Sequence, residues 1–314
     1  MEAPDYVEME KLIKSEVHHI KPYRRNWCID TASGKWIAKK IANKRYASWW
    51  LNIDQELRLR GFQAMLTIQS DDQTWFLTPF IESRTGNYSN KNDIKKMIRT
   101  LARFHHLGRG LKTPPVEGAS FLLYHRLYYR LLQFYQVMCN MNHFPEDLSR
   151  ILRRVGEKHY KAGVHTWKRL SHYPIIPLTN SYRMGNCLAH RDLASHNWIV
   201  DHREKVWLID FETADYDLQL GDYFQISTRM LAENDWDMEC LNEIMQSYES
   251  FLPLTTLEKK IYHILLSFPN EFYRESIGLA KRKAGYNWDS SLHYLHKISN
   301  HFDRWNQAIA RLNI

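Results

Sequence analysis

The stretch Leu188-Ala189-His190-Arg191-Asp192-Leu193-Ala194-Ser195-His196-Asn197, followed by the apolar run Val206-Trp207-Leu208-Ile209 and then Asp210-Phe211-Glu212, decides how this chain reads. It spaces Asp192, Asn197 and Asp210 as a phosphoryl-transfer centre requires. In a loose phosphoryl-transfer transition state the protein mainly positions groups and neutralises charge. It therefore needs one carboxylate to orient the acceptor hydroxyl and oxygen ligands to hold Mg²⁺ on the phosphates. Asp192 suits the first task. Asn197 and Asp210 suit the second, because Mg²⁺ is hard, prefers oxygen, and is held by one or two carboxylates plus the phosphates themselves. Trp198 to Val200 and Val206 to Ile209 are short runs rich in Val, Ile and Trp, joined by polar Asp201 to Lys205. This pattern predicts a hairpin that returns Asp210 to the side of Asn197.

A lone His-Arg-Asp triplet carries little information, and each polar residue in it has an ordinary reading as a turn residue. The joint pattern is far more specific: His-x-Asp-Leu, an Asn beyond a short loop, a hairpin, then Ile-Asp-Phe-Glu. This segment resembles the aminoglycoside phosphotransferase and choline kinase group, relatives of the protein kinases, whose usual pattern is His-Gly-Asp-Leu-x-x-x-x-Asn followed by Ile-Asp-Phe/Trp-Asp/Glu. Arg191 stands where that group usually has Gly, as it does in protein kinases. Asp217 and Gly221-Asp222 resemble the trailing aspartates of the group, the last of which braces the catalytic loop. The resemblance thus gives Asp222, with His190, a supporting role.

A closer resemblance covers most of the chain. Ile20-Lys21-Pro22-Tyr23 to Thr31-Ala32-Ser33-Gly34-Lys35-Trp36-Ile37-Ala38-Lys39, then Leu101-Ala102-Arg103-Phe104-His105, then Phe268-Pro269-Asn270-Glu271-Phe272-Tyr273-Arg274-Glu275 resemble the spore-coat kinase-like proteins of the CotS type. That likeness implies an endospore-forming bacterium, synthesis in the mother-cell cytoplasm, deposition on the spore coat, and other coat proteins as partners. It implies no particular substrate.

Towards the N-terminus, Glu8 to Val17 is expected to form a short helix, and Asn26 to Thr31 and Lys35 to Ile41 read as strands joined at Ser33-Gly34. In the kinase architecture the second strand carries the lysine that pairs with the α and β phosphates. Lys39 closes Trp36-Ile37-Ala38-Lys39, matching the group's three apolar residues and lysine. Lys40 faces the other side of the strand, and a one-residue slip in register would exchange the two. Two features depart from the protein-kinase pattern. Lys21 to Asn26 contains no glycine, so there is no glycine-rich phosphate loop, which the phosphotransferase group also generally lacks. The next expected helix, Trp49 to Arg60, carries acids only at Asp54 and Glu56, late for an ion pair with the lysine. Ile81-Glu82-Ser83-Arg84, behind the apolar run Thr74 to Phe80, matches the group's connector between lobes. There the backbone of Ile81 and Glu82 would hydrogen-bond an adenine edge; taken alone, the stretch is a plain strand and loop.

The remainder reads as helical. Asn92 to Leu107 repeats apolar residues at helical spacing, and Phe121 to Cys139 is an aromatic-rich helix suited either to packing or to lining an acceptor pocket. Two helices are expected over Pro145 to Ser171, a run that Pro174 to Pro177 should end. Thr255-Thr256-Leu257-Glu258 is a capping-box signal. The Phe268 to Glu275 stretch and Trp288 to Leu312 are expected to form the outer wall.

With 314 residues and 44% hydrophobic content the chain can bury a full core. The acidic start Met1-Glu2-Ala3-Pro4-Asp5 lacks the pattern of a secretory signal, and no apolar run approaches a membrane span. A soluble cytoplasmic product is expected. The four cysteines are scattered without metal-site spacing, and adjacent histidines such as His105-His106 point in different directions on a helix. A net charge of +8 without a recognisable motif does not argue for nucleic acid.

These readings converge on a bilobal protein-kinase-like α+β fold, with a small sheet-containing lobe over residues 1–81 and a mostly helical lobe over 82–314. The expected reaction transfers the γ-phosphoryl group of ATP to a hydroxyl of an unidentified acceptor, with Mg²⁺ as cofactor and Asp192 as base. The competing expectation is a kinase-fold coat protein kept for interactions, with weak or no catalysis. The late placement of the helix acids Asp54 and Glu56 speaks slightly for it, and the complete Asp192, Asn197 and Asp210 set speaks against it.

Overall fold

The computed structural model describes residues 2–116, 122–283 and 286–312. Residues 117–120 of the expected loop and Phe121, the expected start of the aromatic helix, lie outside them.

The first half is built on local signals. Asp5 caps helix α1 (Tyr6–Ile13) by accepting from the Glu8 amide, and Lys14 closes it in the left-handed region at φ 57°. The expected helix to Val17 is therefore too long, and Val17 instead begins a strand. Strands β1 (Val17–Tyr23), β2 (Asn26–Thr31), β3 (Gly34–Lys40), β4 (Gln69–Ser70) and β5 (Trp75–Pro79) form an antiparallel sheet in the order β1-β2-β3-β5-β4. Gly34, at φ 129°, makes the turn between β2 and β3, where a side chain would be strained. One sheet face packs Ile29, Ala38 and Leu77 on Met9 and Ile13 of α1. Ala38 lies on that face, so the alternation of the strand turns Lys39 to the other one. Lys40 returns to the Ala38 face, where its Nζ lies 3.5 Å from Glu2.

Helix α2 (Lys44–Leu59) starts five residues before the expected Trp49, because Asn43 caps it by accepting from the Tyr46 amide. After β5 the chain passes through Phe80–Glu82 into β6 (Ser83–Thr85), which pairs with β8 (Trp198–Asp201), itself paired with β9 (Val206–Leu208). The β8–β9 hairpin is the one expected from the sequence.

The rest is mostly helical: α3 (Lys91–Leu107), α4 (Leu123–Cys139), α5 (Glu146–Ile151), α6 (Glu157–Ser171) and α7 (Ile175–Met184) come before the hairpin. Between α5 and α6 the chain makes a π-helical turn over Leu152–Gly156, so the two run on without a loop. The run ends at Ser171 as expected, but the Pro174 to Pro177 stretch goes on to start a further helix. Helix α7 starts directly after Pro174 and accommodates Pro177 in its first turn, where a missing amide hydrogen breaks no intrahelical bond. Two short strands, β7 (Leu188–Ala189) and β10 (Asp215–Tyr216), pair antiparallel across the hairpin. Then follow α8 (Leu220–Glu233), α9 (Met238–Glu249), α10 (Thr256–Leu266), α11 (Asn270–Ala280), α12 (Trp288–Asn300) and α13 (Phe302–Arg311). The capping box of Thr255 and Glu258 forms as expected at α10. Helix α8 is buried along nearly its whole length and is the axis on which the short strands and the surrounding helices pack.

Candidate phosphoryl-transfer site

The loop after β7 is held mainly by one buried carboxylate. Asp222, in the first turn of α8, accepts from the backbone amides of His190 (2.6 Å) and Arg191 (2.8 Å), and its Oδ2 lies 3.1 Å from His105 Nε2. The other nitrogen of His105 is 2.7 Å from the Tyr248 hydroxyl. Burial alone would push the Asp222 carboxyl up, but the hydrogen bond and charge of His105 and the contacts to His190 bring it below the usual carboxylate value. Burial draws both imidazoles, His105 and His190, below their ordinary value. Asp222 thus serves the loop backbone and His105 together, and its place at a helix N-terminus favours its negative charge.

The residue after His190 explains the glycine usual at that position. Arg191 sits at φ 69°, a conformation glycine enters freely and arginine does not. Its side chain is held by acids: Nη1 is 3.3 Å from Asp215 and Nε 3.5 Å from Asp217. Three further contacts fix the loop. Tyr88 donates its hydroxyl to the Leu193 carbonyl (2.7 Å), Gln225 accepts from the Leu193 amide (3.1 Å), and the Asn197 side-chain Nδ2 donates to the Asp192 carbonyl (2.9 Å). That last bond commits the nitrogen of Asn197 to the loop and leaves Oδ1 as the atom able to meet a cation. The half-buried Asp192 carboxylate has no hydrogen bond or ion pair among the described residues.

The hairpin brings the second carboxylate back as its sequence implied. The Ile209 amide donates to the Asn197 carbonyl (3.0 Å), and the Ile209 carbonyl meets His190 Nε2 (3.0 Å). Asp210 follows at φ 64°. Across the interface with the five-stranded sheet, Lys39 Nζ meets Asp210 Oδ1 at 2.7 Å and Glu212 Oε1 at 2.9 Å. Burial opposes the charge on Lys39, yet the two carboxylates outweigh it and hold its pKa above the ordinary ammonium value. The expected difficulty over the helix acid is resolved in an unexpected way. Asp54 pairs with Arg58 and Glu56 with Arg60, both one turn away on α2, and the lysine instead takes Glu212.

Helix α2 still supports the site, through aromatic residues. Tyr46 donates its hydroxyl to the carbonyls of Phe211 and Ala214, and Trp50 stacks on Phe211 at 4.4 Å and 18°. Such a stack contributes roughly 0.5–1.5 kcal/mol beyond area burial. Ile81 and Glu82 lie in the irregular backbone between β5 and β6, where the Ile81 carbonyl accepts the Ser83 hydroxyl at 3.1 Å. The structure therefore brings Lys39, Asp210, Asn197, Asp192, His190 and Asp222 together, with Ile81 and Glu82 at the junction between the sheet and the helical half. Two members of this arrangement, Glu212 and His105, carry no role in the sequence pattern. The trace available for Glu212 was its place two residues after Asp210.

The donor set fits a magnesium ion. Two carboxylates converge on one ammonium at 2.7 and 2.9 Å, which leaves the centre with an excess of negative charge that a divalent cation would neutralise. Among the described residues no group of three or more His, Cys, Asp or Glu side chains forms a metal cage. Asn197 and Asp210 would share a hard cation with bound phosphate oxygens. Among the described residues no helix is long and apolar enough to cross a membrane.

No family model matches the chain. Solved structures do. The chain superposes on an aminoglycoside phosphotransferase from Alicyclobacillus acidocaldarius with a TM-score of 0.80 at 15% identity, over 97% of this chain and 95% of that one. It superposes on a spectinomycin phosphotransferase in complex with ADP and spectinomycin with a TM-score of 0.64 at 12% identity, over 98% and 99% of the two chains. The choline kinase of Streptococcus pneumoniae gives 0.52 at 15% identity, over 97% and 99%. The fold is the bilobal kinase-like fold of aminoglycoside phosphotransferases and choline kinases.

Proposed function

We propose that this protein is an ATP-dependent phosphotransferase that moves the γ-phosphoryl group of ATP to a hydroxyl. The observation that carries this reading is the meeting of Lys39 with Asp210 and Glu212, beside a loop whose buried anchors leave the Asp192 carboxylate uncommitted. Lys39 would neutralise nucleotide phosphate, and the Ile81 and Glu82 backbone would face the base. Asp192 would accept the proton of the acceptor hydroxyl as its oxygen bonds to the γ-phosphorus. The bond to the β–γ bridging oxygen breaks and ADP leaves. Mg²⁺, when held by Asn197 and Asp210, would supply charge neutralisation on the phosphates. His190 and Asp222 support this machinery without touching substrate.

The closer sequence resemblance supports a place on the forming spore, with synthesis in the mother-cell cytoplasm and coat proteins as neighbours. A purely structural coat role drew its main support from the missing helix acid, and Glu212 on Lys39 weakens that ground. Thermal unfolding with ATP and Mg²⁺, followed by ATP turnover across a panel of hydroxyl compounds, tests the proposal. Stabilisation that requires both nucleotide and metal is expected. Its absence would count against the phosphotransferase reading.

A further inference from the structure

Beneath the Asp192 loop lies a group of arginines whose charge is not fully matched. Two guanidinium groups sit one turn apart on α4, Arg126 and Arg130, and a third, Arg229, projects from α8. The cluster touches the loop at two points. Asp217 is 3.1 Å from Arg126 and 3.5 Å from Arg191, the residue before Asp192. Arg229 lies against Tyr88, whose hydroxyl holds the Leu193 carbonyl, immediately after Asp192.

The imbalance shows in the partners. Helix α11 offers Glu271 and Glu275, and Arg274 takes both at 2.7 Å. Arg229 is 3.9 Å from Glu271, a long ion pair, and its Nε and Nη1 are buried without a hydrogen-bond partner among the described residues. Among the described residues Arg130 hydrogen-bonds to an amide alone, donating to the Asn270 side-chain oxygen, while Glu271 acts on it through charge. Three guanidinium groups, Arg130, Arg229 and Arg274, thus face two carboxylates. A buried cation without a counter-charge is strongly unfavourable, and a guanidinium fork is suited to a carboxylate or phosphate. The small cavity between α8 and α11, beside Asn270 and Glu271, has a volume of about 30 Å³ and suits no more than a water. On α4, Arg126 and Arg130 keep part of their surface exposed.

We propose that the acceptor carries an anionic group, a carboxylate or a phosphate monoester, beside its hydroxyl, and that Arg130 and Arg229 bind that group. This rests on the phosphotransferase reading and adds the substrate class. Arg229 connects to the loop through Tyr88 and Leu193, so the acceptor hydroxyl would lie on the Asp192 side of the bound anion.

The test uses the full chain with saturating Mg·ADP, which fills the cleft except for its γ-phosphate position; the arginine variants, which leave that position intact, separate binding there from binding at the arginines. Inorganic phosphate is titrated by calorimetry and thermal shift, and ATP turnover is measured with hydroxy acids, sugar phosphates, and the cationic hydroxyl compounds choline and kanamycin. Phosphate is expected to bind and stabilise the Mg·ADP complex, and anionic acceptors alone to turn over; the hydroxy-acid and sugar-phosphate arms separate the two anions. Arg130→Gln and Arg229→Gln should each weaken phosphate binding by about tenfold, the scale of one charge-assisted pair. Should the buried Arg229 variant fail to fold by circular dichroism, Arg130→Gln and the wild-type charge preference still decide. Turnover of cationic compounds only, or no phosphate binding by the Mg·ADP complex, would overturn the inference and leave the phosphotransferase reading standing. Failure of wild-type protein to bind Mg·ADP would overturn both.

Discussion

Asp210 and Glu212 share one ammonium, and the consequences of removing either differ. Asp210→Asn keeps the shape and leaves Lys39 paired with Glu212, so the protein should stay folded. The metal would lose its charged ligand, and nucleotide binding should lose its Mg²⁺ dependence. Calorimetric titration with ATP, with and without Mg²⁺, checks this; unaltered Mg·ATP affinity would remove Asp210 from the role. Asp192 has no structural partner for its carboxylate among the described residues, so Asp192→Ala should spare nucleotide affinity and lower turnover about 10²–10⁴-fold, once an acceptor is in hand. Arg191 gives a test of backbone conformation. Arg191→Gly and Arg191→Ala both lose the contacts to Asp215 and Asp217, but only alanine keeps a side chain at φ 69°. The glycine variant should therefore be the more stable of the two, by about 1 kcal/mol in urea unfolding. Equal stabilities would mean that the ion pairs and not the dihedral dominate at this position.

Packing between elements shows what sequence alone could and could not reveal. The β8–β9 hairpin and the α10 capping box were legible because each is written in a few adjacent residues. β1 was not, since its mostly exposed residues do not alternate cleanly and its bulge falls between Val17 and His19. The partner of Lys39 was hidden for a different reason: Glu212 is remote in sequence and comes from the loop after the hairpin instead of from α2. His159, on α6, is another residue whose setting is purely tertiary. Its ring stacks on Phe272 of α11 at 3.7 Å and 9°, and lies parallel to Trp305 of α13. Burial lowers its pKa from 6.5 to about 4. The unfolded chain therefore takes up a proton below about pH 6.5 that the folded one refuses until about pH 4. This contribution is full above the upper value and is lost as the pH falls through the window, by about 3 kcal/mol. Burial lowers His105, His190 and His263 as well, with the same sign. Urea midpoints should drop between about pH 7.5 and about pH 5, and less steeply in His159→Phe, which keeps a ring in the stack but cannot titrate. A pH-independent midpoint in the wild type would refute the assignment.

At the scale of the whole molecule, the two halves meet through the cleft itself. Lys39 reaches from the sheet to Asp210 and Glu212, while Trp50 and Tyr46 tie α2 to the turn around Phe211. The site is therefore part of what holds the halves together, and loss of catalysis must be separated from loss of structure. The triple substitution Asp192→Ala, Asn197→Ala and Asp210→Ala removes the proposed base and both proposed metal ligands but retains Glu212 on Lys39 and the Asp222 anchor of the loop. Asn197 is buried and bonded to the Asp192 carbonyl, so a stability loss of about 1–3 kcal/mol is expected and the melt must be measured first. If the fold serves only assembly, a stable triple variant should reach the spore and leave coat properties unchanged, because its outer surface is intact. If phosphoryl transfer is the purpose, deposition should persist while a phosphorylated product, or a coat property that depends on it, disappears. The second outcome is expected, since the Asp192 carboxylate has no structural partner among the described residues. Normal coats on spores carrying the correctly localised triple variant would favour the scaffold, and finding the protein in cells that never sporulate would remove the coat from its function altogether.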